Sequence, residues 1–379
     1  MRKVITLAVS LMILDTNASI AETQSIPLPP VVSIKQQQKQ NQSIESAIIS
    51  TKNNNENEVP TQIEKKPQVS IPKKIISAPG ANNIKVKIGV NASDGALYLP
   101  LASTICIFMN EINSDACRIK QYDSSVKLFT GLLNGDIDII VTNAVSAKYV
   151  FDGNTPFENN MQNKKMRFVS SIFNDVLQIV TRSDSRIKTL DDIKNTSINI
   201  SKNYTTTRIF MDNLMKIKGL TTQDFQKVSE LDLNDEVSAL CNGDIKVMTV
   251  VAQKFNQYLK DVTRTCDVNI VDFTKEDIEL FLVDSQYVNE KIEGGTYIGI
   301  PVDVDTVATK ALLVSTSDVQ NQTIYHVIDI LLKHLKDIKN LHGSFAQIKP
   351  QEVLSQGRVL PLHEAVDEFI NQNGIVGLN

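Results

Sequence analysis

With 379 residues, 42% of them hydrophobic, the chain has apolar material for one large core or two ordinary ones, and two domains are expected. A formal net charge of −4, with no run of five or more Lys/Arg, supplies no field to hold an anionic polymer, which argues against nucleic-acid binding.

The chain opens Met1-Arg2-Lys3, stays apolar from Val4 to Leu14, and reaches a small-x-small site at Ser19-Ile20-Ala21. That is the layout of a secretory signal peptide over residues 1–21, cleaved after Ala21. Its apolar core of roughly 11 residues falls short of the roughly 20 that span a bilayer. The mature protein is therefore expected to be exported and soluble. Residues 22–84 form a composition island with Gln36-Gln37-Gln38, Asn53-Asn54-Asn55 and seven prolines from Pro27 to Pro79. Such a segment has too little apolar surface to offset its ordering entropy, and a disordered spacer is the expectation.

Export makes disulfides chemically available to Cys106, Cys117, Cys241 and Cys266. Proximity favours Cys106 with Cys117 and Cys241 with Cys266. The alternative for each pair is two buried, unbridged thiols. His326, His334 and His342 recur every eight residues on one expected helix, so they turn about 80° around it per step and do not converge. No metal site or cofactor is expected.

From Lys85 the pattern becomes an α/β protein, short β-branched runs alternating with amphipathic stretches. Strand 86–90 precedes a helix carrying Leu97, Leu101, Ile105, Phe108 and Ile112. Strand 117–121, helix 126–133 and strand 137–141 follow, a β-α-β-α-β order that predicts parallel pairing. Two strands, 166–173 and 177–182, lead to Thr189-Leu190-Asp191-Asp192, a capping-box start. A second α/β set comprises strand 197–200, helix 206–218, helix 236–241, strand 247–251, helix 255–262 and strand 268–271. Strand 306–315 then feeds one long, one-sided helix begun by Ser317 and Gln320 and carrying Ile324, Val327, Ile328, Leu331, Leu335 and Ile338.

Several blocks resemble the TAXI family of solute receptors for tripartite ATP-independent (TRAP) transporters. The segment Gly89 to Pro100 is similar to the family's opening strand and loop with Tyr and Pro, and Tyr122 to Leu128 with Leu133 to Ile139 to its second block. Leu177 to Ser185 with Ile187 to Asp192 resembles the strand that crosses between lobes. Gly295-Thr296-Tyr297, Asp305 to Ala308 and Pro361-Leu362-His363 resemble the late blocks, in the same order. The resemblance implies a two-lobed periplasmic-binding-protein fold of type II-like form with hinge-connecting strands. Lobe one would comprise 85–180 plus 306–379, and lobe two 181–305. The implied function is a receptor for a small carboxylate-bearing solute, an organic acid or a glutamate-like amino acid, delivered to a TRAP-type membrane permease. A monomer is the expected state.

In open α/β sheets ligands sit at the carboxyl ends of strands, where helix N-termini offer free N–H groups and partial positive charge. Three such places are Asn91 to Tyr98, Ser124-Ser125, and Asn203 to Arg208. The candidate ligand-binding residues are accordingly Ser93, Asp94, Tyr98, Ser124, Ser125, Asn143, Thr205, Thr206, Thr207 and Arg208. Each has a plain alternative: a core tyrosine for Tyr98, an N-cap for the serines, a turn residue for Asn143, a solvated or lobe-bridging charge for Arg208. Thr207 and Arg208 match a family pattern resembling Gly-Ser-Gly-Thr-Arg, whereas Tyr204 and Thr206 stand where glycines are usual. These losses hinder close approach of backbone to ligand and raise the alternative of a diverged receptor with a sensing or surface-interaction role and no transport. Enzyme motifs do not complete. Ser124-Ser125-Val126-Lys127 spells S-x-x-K without its partner elements, and His363-Glu364 is followed by Asp367 where H-E-x-x-H needs His.

Overall fold

The computed structural model describes residues 84–91, 94–157, 161–346 and 348–375. The expected signal peptide, all of the expected spacer but Ile84, and Ser93 lie outside the described residues.

The first half begins with β1 (Val86–Asn91), α1 (Tyr98–Ile112), β2 (Cys117–Tyr122), α2 (Ser125–Leu133), β3 (Ile139–Asn143) and α3 (Ala144–Phe151). β1 lies between β2 and β3 and is parallel to both, as the β-α-β-α-β order predicts. β3 is buried on both sides because both faces of the sheet are covered there, whereas the edge strand β2 is largely exposed. Ile139 and Val141 enter a core with α1, while Ile140 between them enters a second core with Leu128, Phe129 and Leu132 of α2.

The residues read as two strands, 166–173 and 177–182, form one continuous strand, β4 (Met166–Arg182). At about 3.3 Å per residue it spans roughly 55 Å, enough to run through two lobes. The second half adds β5 (Ser197–Asn199), α4 (Thr206–Ile217), β6 (Lys227–Ser229), α5 (Leu233–Asn242) and β7 (Val247–Ala252). It continues with α6 (Gln257–Thr265), β8 (Val268–Ile270), α7 (Lys275–Leu282) and β9 (Val288–Ile292). β10 (Val304–Thr316) returns antiparallel to β4, with register shifts near Lys310 and Leu313. The ten strands run β2-β1-β3-β10-β4-β7-β5-β6, with β8 on β4 and β9 on β10. Two parallel units, β2-β1-β3 and β7-β5-β6, are thus joined through the long pair β4 and β10. This is the two-lobed α/β architecture with crossing strands.

Thr189 and Asp192 make the expected capping box, on a short 3-10 turn over Leu190–Ile193. The expected long helix after β10 is two, α8 (Asn321–Lys333) and α9 (Leu335–Lys339), broken at His334, and Gln320 caps α8 without a side-chain bond. Nor is α8 one-sided. Every residue from Thr323 to Leu331 is buried, because α1 and α10 (Glu364–Gln372) flank it over the sheet. Both favoured cysteine pairs are bridged, Cys106 to Cys117 and Cys241 to Cys266. Among the described residues no helix is long and apolar enough to cross a membrane.

Candidate functional site

The carboxyl ends of β1 and β3 and the N-termini of α1, α2, α3 and α4 meet in one crevice that joins the two lobes. Each helix start is fixed by its own N-cap. Ser124 Oγ accepts from Lys127 N at 3.3 Å, Asn143 Oδ1 from Ser146 N at 2.8 Å, and Thr205 Oγ1 from Arg208 N at 3.1 Å. The capping alternative therefore holds for Ser124, and Asn143, expected as a ligand or turn residue, and Thr205 are caps as well. For Asn143 capping does not exhaust the side chain, whose Nδ2 donates across the crevice to Thr206 Oγ1 at 3.3 Å. Ser146 Oγ lies 3.4 Å from the same Thr206 hydroxyl. Asn143, Ser146 and Thr206 are all buried, so the lobes close directly on one another here.

The opening loop adds acid. Ser125 Oγ lies 2.8 Å from both carboxylate oxygens of half-buried Asp94, and Asn91 Nδ2 donates to Ser125 Oγ at 3.4 Å. Tyr98, fully buried as the first residue of α1, belongs to the core and also turns its hydroxyl to Asp175 Oδ2 at 2.5 Å. Gly95 permits this placement, since a Cβ there would lie 2.9 Å from Tyr98 Cε1. Asp175 sits within β4, 1% exposed, and its Oδ1 has no hydrogen-bond partner.

Burial governs the electrostatics. It raises the Asp94 carboxyl to about 6, against the lowering bonds from Ser125 and Asn91. It raises Asp175 to about 7, against the lowering bond from Tyr98, with the Asp94 charge adding to the rise. Burial and then Asp175 push the Tyr98 phenol well above its ordinary range, so it remains a donor.

Thr207, half-buried, follows Thr206 on the first turn of α4. Arg208 is engaged within its own lobe, its guanidinium bonded to Asp212 at 2.9 Å and Glu230 at 2.6 Å. Of the candidates described, the structure thus pairs Asp94 with Ser125 and Asn143 with Thr206, and places Tyr98 within reach of the Asp94 charge and of Asn143, with Ser124, Thr205 and Thr207 on the adjoining helix turns. Asn91, Ser146 and Asp175 join them without having been singled out. The available signal for Asp175 was a carboxylate directly between the apolar pairs Ile172-Phe173 and Val176-Leu177, with only Asn174 beside it.

The loop before α4 holds two non-glycine residues in left-handed backbone, Ser201 at φ +65° and Tyr204 at φ +63°, the latter at a position where the resemblance led to an expectation of glycine. Left-handed backbone costs a non-glycine residue roughly 1–2 kcal/mol, and such strain gathers at functional loops.

Two cavities lie elsewhere. One of about 860 Å³ borders Lys85, Asp138 and Thr316, at the opposite, amino ends of β1 and β3. Another of about 680 Å³ lies beside the crossing strands, lined by Phe173, Asn174, Lys254, Glu290, Lys310 and Glu352. Its charges pair among themselves, Lys254 with Glu290 at 3.3 Å and Lys310 with Glu352 at 3.2 Å. Among the described residues no group of three or more His, Cys, Asp or Glu is placed to hold a metal ion.

Among solved structures the chain is similar to a putative L-cystine ABC transporter protein from Listeria monocytogenes, with 12% identity, a TM-score of 0.44, and 71% of this chain and 99% of that one covered. It is similar also to the periplasmic aliphatic sulphonate binding protein of Escherichia coli, at 12% identity and TM-score 0.44 over 77% and 79% of the two chains. A binding protein component of an ABC phosphonate transporter from Pseudomonas aeruginosa matches at 10% identity and TM-score 0.44, over 70% and 81%. A family model, that of the NMT1-like family, matches residues 90–374. That match runs from the end of β1 past the end of α10, through both lobes, and the chain belongs to the NMT1-like family.

Proposed function

We propose that the protein is a periplasmic solute receptor, not an enzyme, that takes a small carboxylate-bearing molecule, an organic acid or amino acid, between its lobes. It delivers that solute to a TRAP-type membrane permease. In this reading residues 1–21 are the cleaved export signal, 85–180 with 306–379 form lobe one, and 181–305 form lobe two. The observation that carries the reading is the Asn143–Thr206 contact, which joins the N-terminus of a helix in one lobe to that of a helix in the other. A carboxylate seated there meets partial positive charge from both sides, in a place that closure shields from water. Opening and closing about β4 and β10 would make affinity depend on the closed population.

The test is a thermal-shift screen of the full chain against carboxylates, keto acids and amino acids. A ligand at 100 times its Kd stabilises by about 2.7 kcal/mol. The receptor reading predicts at least one hit that is abolished by Thr206→Trp, which fills the crevice. Absence of any hit in a folded sample overturns it. A second reading, a diverged receptor with a sensing or surface-interaction role and no transport, is favoured by Tyr204 holding a left-handed conformation without the family's glycine. A solute that binds but is not taken up by cells carrying the cognate permease supports that second reading.

A further inference from the structure

The charge of the solute follows from what the crevice lacks. Asp175 accepts from the Tyr98 hydroxyl at 2.5 Å, and Asp94 lies close enough for its charge to act on both. Ser125 and Asn91 both bond to the Asp94 carboxyl, which fills only part of the about four hydrogen bonds a carboxylate has room for. Asp175 is more than nine-tenths buried, bonded on Oδ2 by Tyr98 and unpartnered on Oδ1. Buried acceptors are normally satisfied, and an orphan oxygen on a carboxylate already fixed in the crevice calls for an occupant that donates. The protein supplies no counter-charge. Among the described residues no Lys, Arg or His is ion-paired with Asp94 or Asp175, and Arg208 is bonded to Asp212 and Glu230.

We infer that the solute carries a cationic nitrogen, of the ammonium class, seated between Asp94 and Asp175 beside the Tyr98 hydroxyl, and that it bears no more than one carboxylate. The inference rests on the receptor reading and narrows it. An ammonium supplies three donors and the missing positive charge, and its own carboxylate is left for the helix N-termini at Ser125 and Thr206. A second carboxylate would bring like charge to a crevice that already holds two.

The experiment is calorimetric titration of the full chain at pH 7.5 with L-alanine, L-lysine, succinate and glutarate, repeated on Asp94→Asn. Binding of an amine-bearing probe, absent for both dicarboxylates and weakened at least tenfold in Asp94→Asn, is expected; the tenfold loss equals about 1.4 kcal/mol. Circular dichroism of Asp94→Asn confirms that it folds, which half-buried Asp94 should allow. Binding of succinate or glutarate with no binding of either amine overturns the cationic inference and leaves the receptor reading intact. Amine binding of equal strength in Asp94→Asn overturns the assigned seat. No binding by any probe to a folded sample overturns the inference, and the thermal-shift screen then decides whether the receptor reading falls with it.

Discussion

Tyr98 donates its hydroxyl to Asp175, 77 residues further along the chain, and so ties the first turn of α1 to the middle of β4. Both residues are buried, so the bond holds a carboxylate in the core at the point where the long strand leaves one lobe for the other. Tyr98→Phe keeps the ring but leaves Asp175 Oδ2 without its donor. Urea unfolding should show a loss of about 1–3 kcal/mol. A change below about 0.5 kcal/mol would mean that water or another group satisfies Asp175.

Tyr204 occupies left-handed backbone at φ +63° with its side chain 39% exposed. Tyr204→Gly removes that strain at little cost in burial, although glycine also loosens the unfolded chain. A net gain of roughly 0.5–1 kcal/mol is expected from chemical denaturation. A loss of stability would show that the ring packs against something that outweighs the strain.

Glu236 of α5 is buried, accepts from Asn199 Nδ2 at 2.6 Å and from Tyr258 at 2.7 Å, and has its carboxyl raised by burial from 4.5 to about 7. Nearby Asp232 adds to the rise. The folded state therefore keeps a proton that the unfolded state loses. The resulting stability is fully present below about 4.5 and is lost as pH rises through about 7. Glu236→Gln removes this dependence, so the parent should lose stability relative to the variant between pH 5 and pH 8. Comparing the two cancels the opposite pull of His342 and His363, both lowered by burial. A parent-to-variant difference that stays flat across this range would refute the assignment.

The two disulfides close loops with separations of 11 and 25 residues, one tying α1 to β2 and the other the end of α5 to the C-terminal cap of α6. By loop-closure entropy each should contribute about 3 kcal/mol. Replacing either pair with alanines, followed by urea unfolding, checks the magnitude. Free thiols titrated in the folded, non-reduced protein would contradict the pairing itself.

Much of the fold was legible because parallel strands buried on both faces leave near-continuous apolar runs, as in Ile139-Ile140-Val141 and in 247–251, where only Thr249 interrupts. The short strands β6 and β9 were not. Their sequences, Lys227-Val228-Ser229 and Val288-Asn289-Glu290-Lys291-Ile292, carry polar residues and take their form from pairing with β5 and β10. The polar Asn174-Asp175 reads as a break between two strands, yet pairing with β10 carries β4 through it. The same local reading hid Asp175 as a site residue, because its partner Tyr98 is remote in sequence. The starts of α2 and α4 were legible, since Ser124 and Thr205 cap as their residue types suggest, whereas α3, capped by Asn143, was not anticipated. Whether a cap also faces the other lobe is set by tertiary closure, and only the structure distinguishes Asn143 in that respect.

Asp94 and Asp175, raised to about 6 and about 7 by burial, bear on the binding of a cationic solute. The groups facing them are Tyr98, Ser125 and Asn91, with Asn143 beside Tyr98. An ammonium binds the ionised pair, so its affinity should rise between pH 5.5 and pH 8, and binding at neutral pH should release protons. Titration in two buffers of different ionisation enthalpy measures that release. Proton uptake on binding would contradict the scheme.

The most direct measurement of the central claim is amide hydrogen exchange of the full chain with and without a bound solute. Protection should appear together in two segments far apart in sequence, 94–98 with 124–127 in one lobe and 203–208 in the other. Protection confined to one lobe, or centred instead on 288–296 and 344–356 around the cavity beside the crossing strands, would contradict capture between the lobes at this crevice.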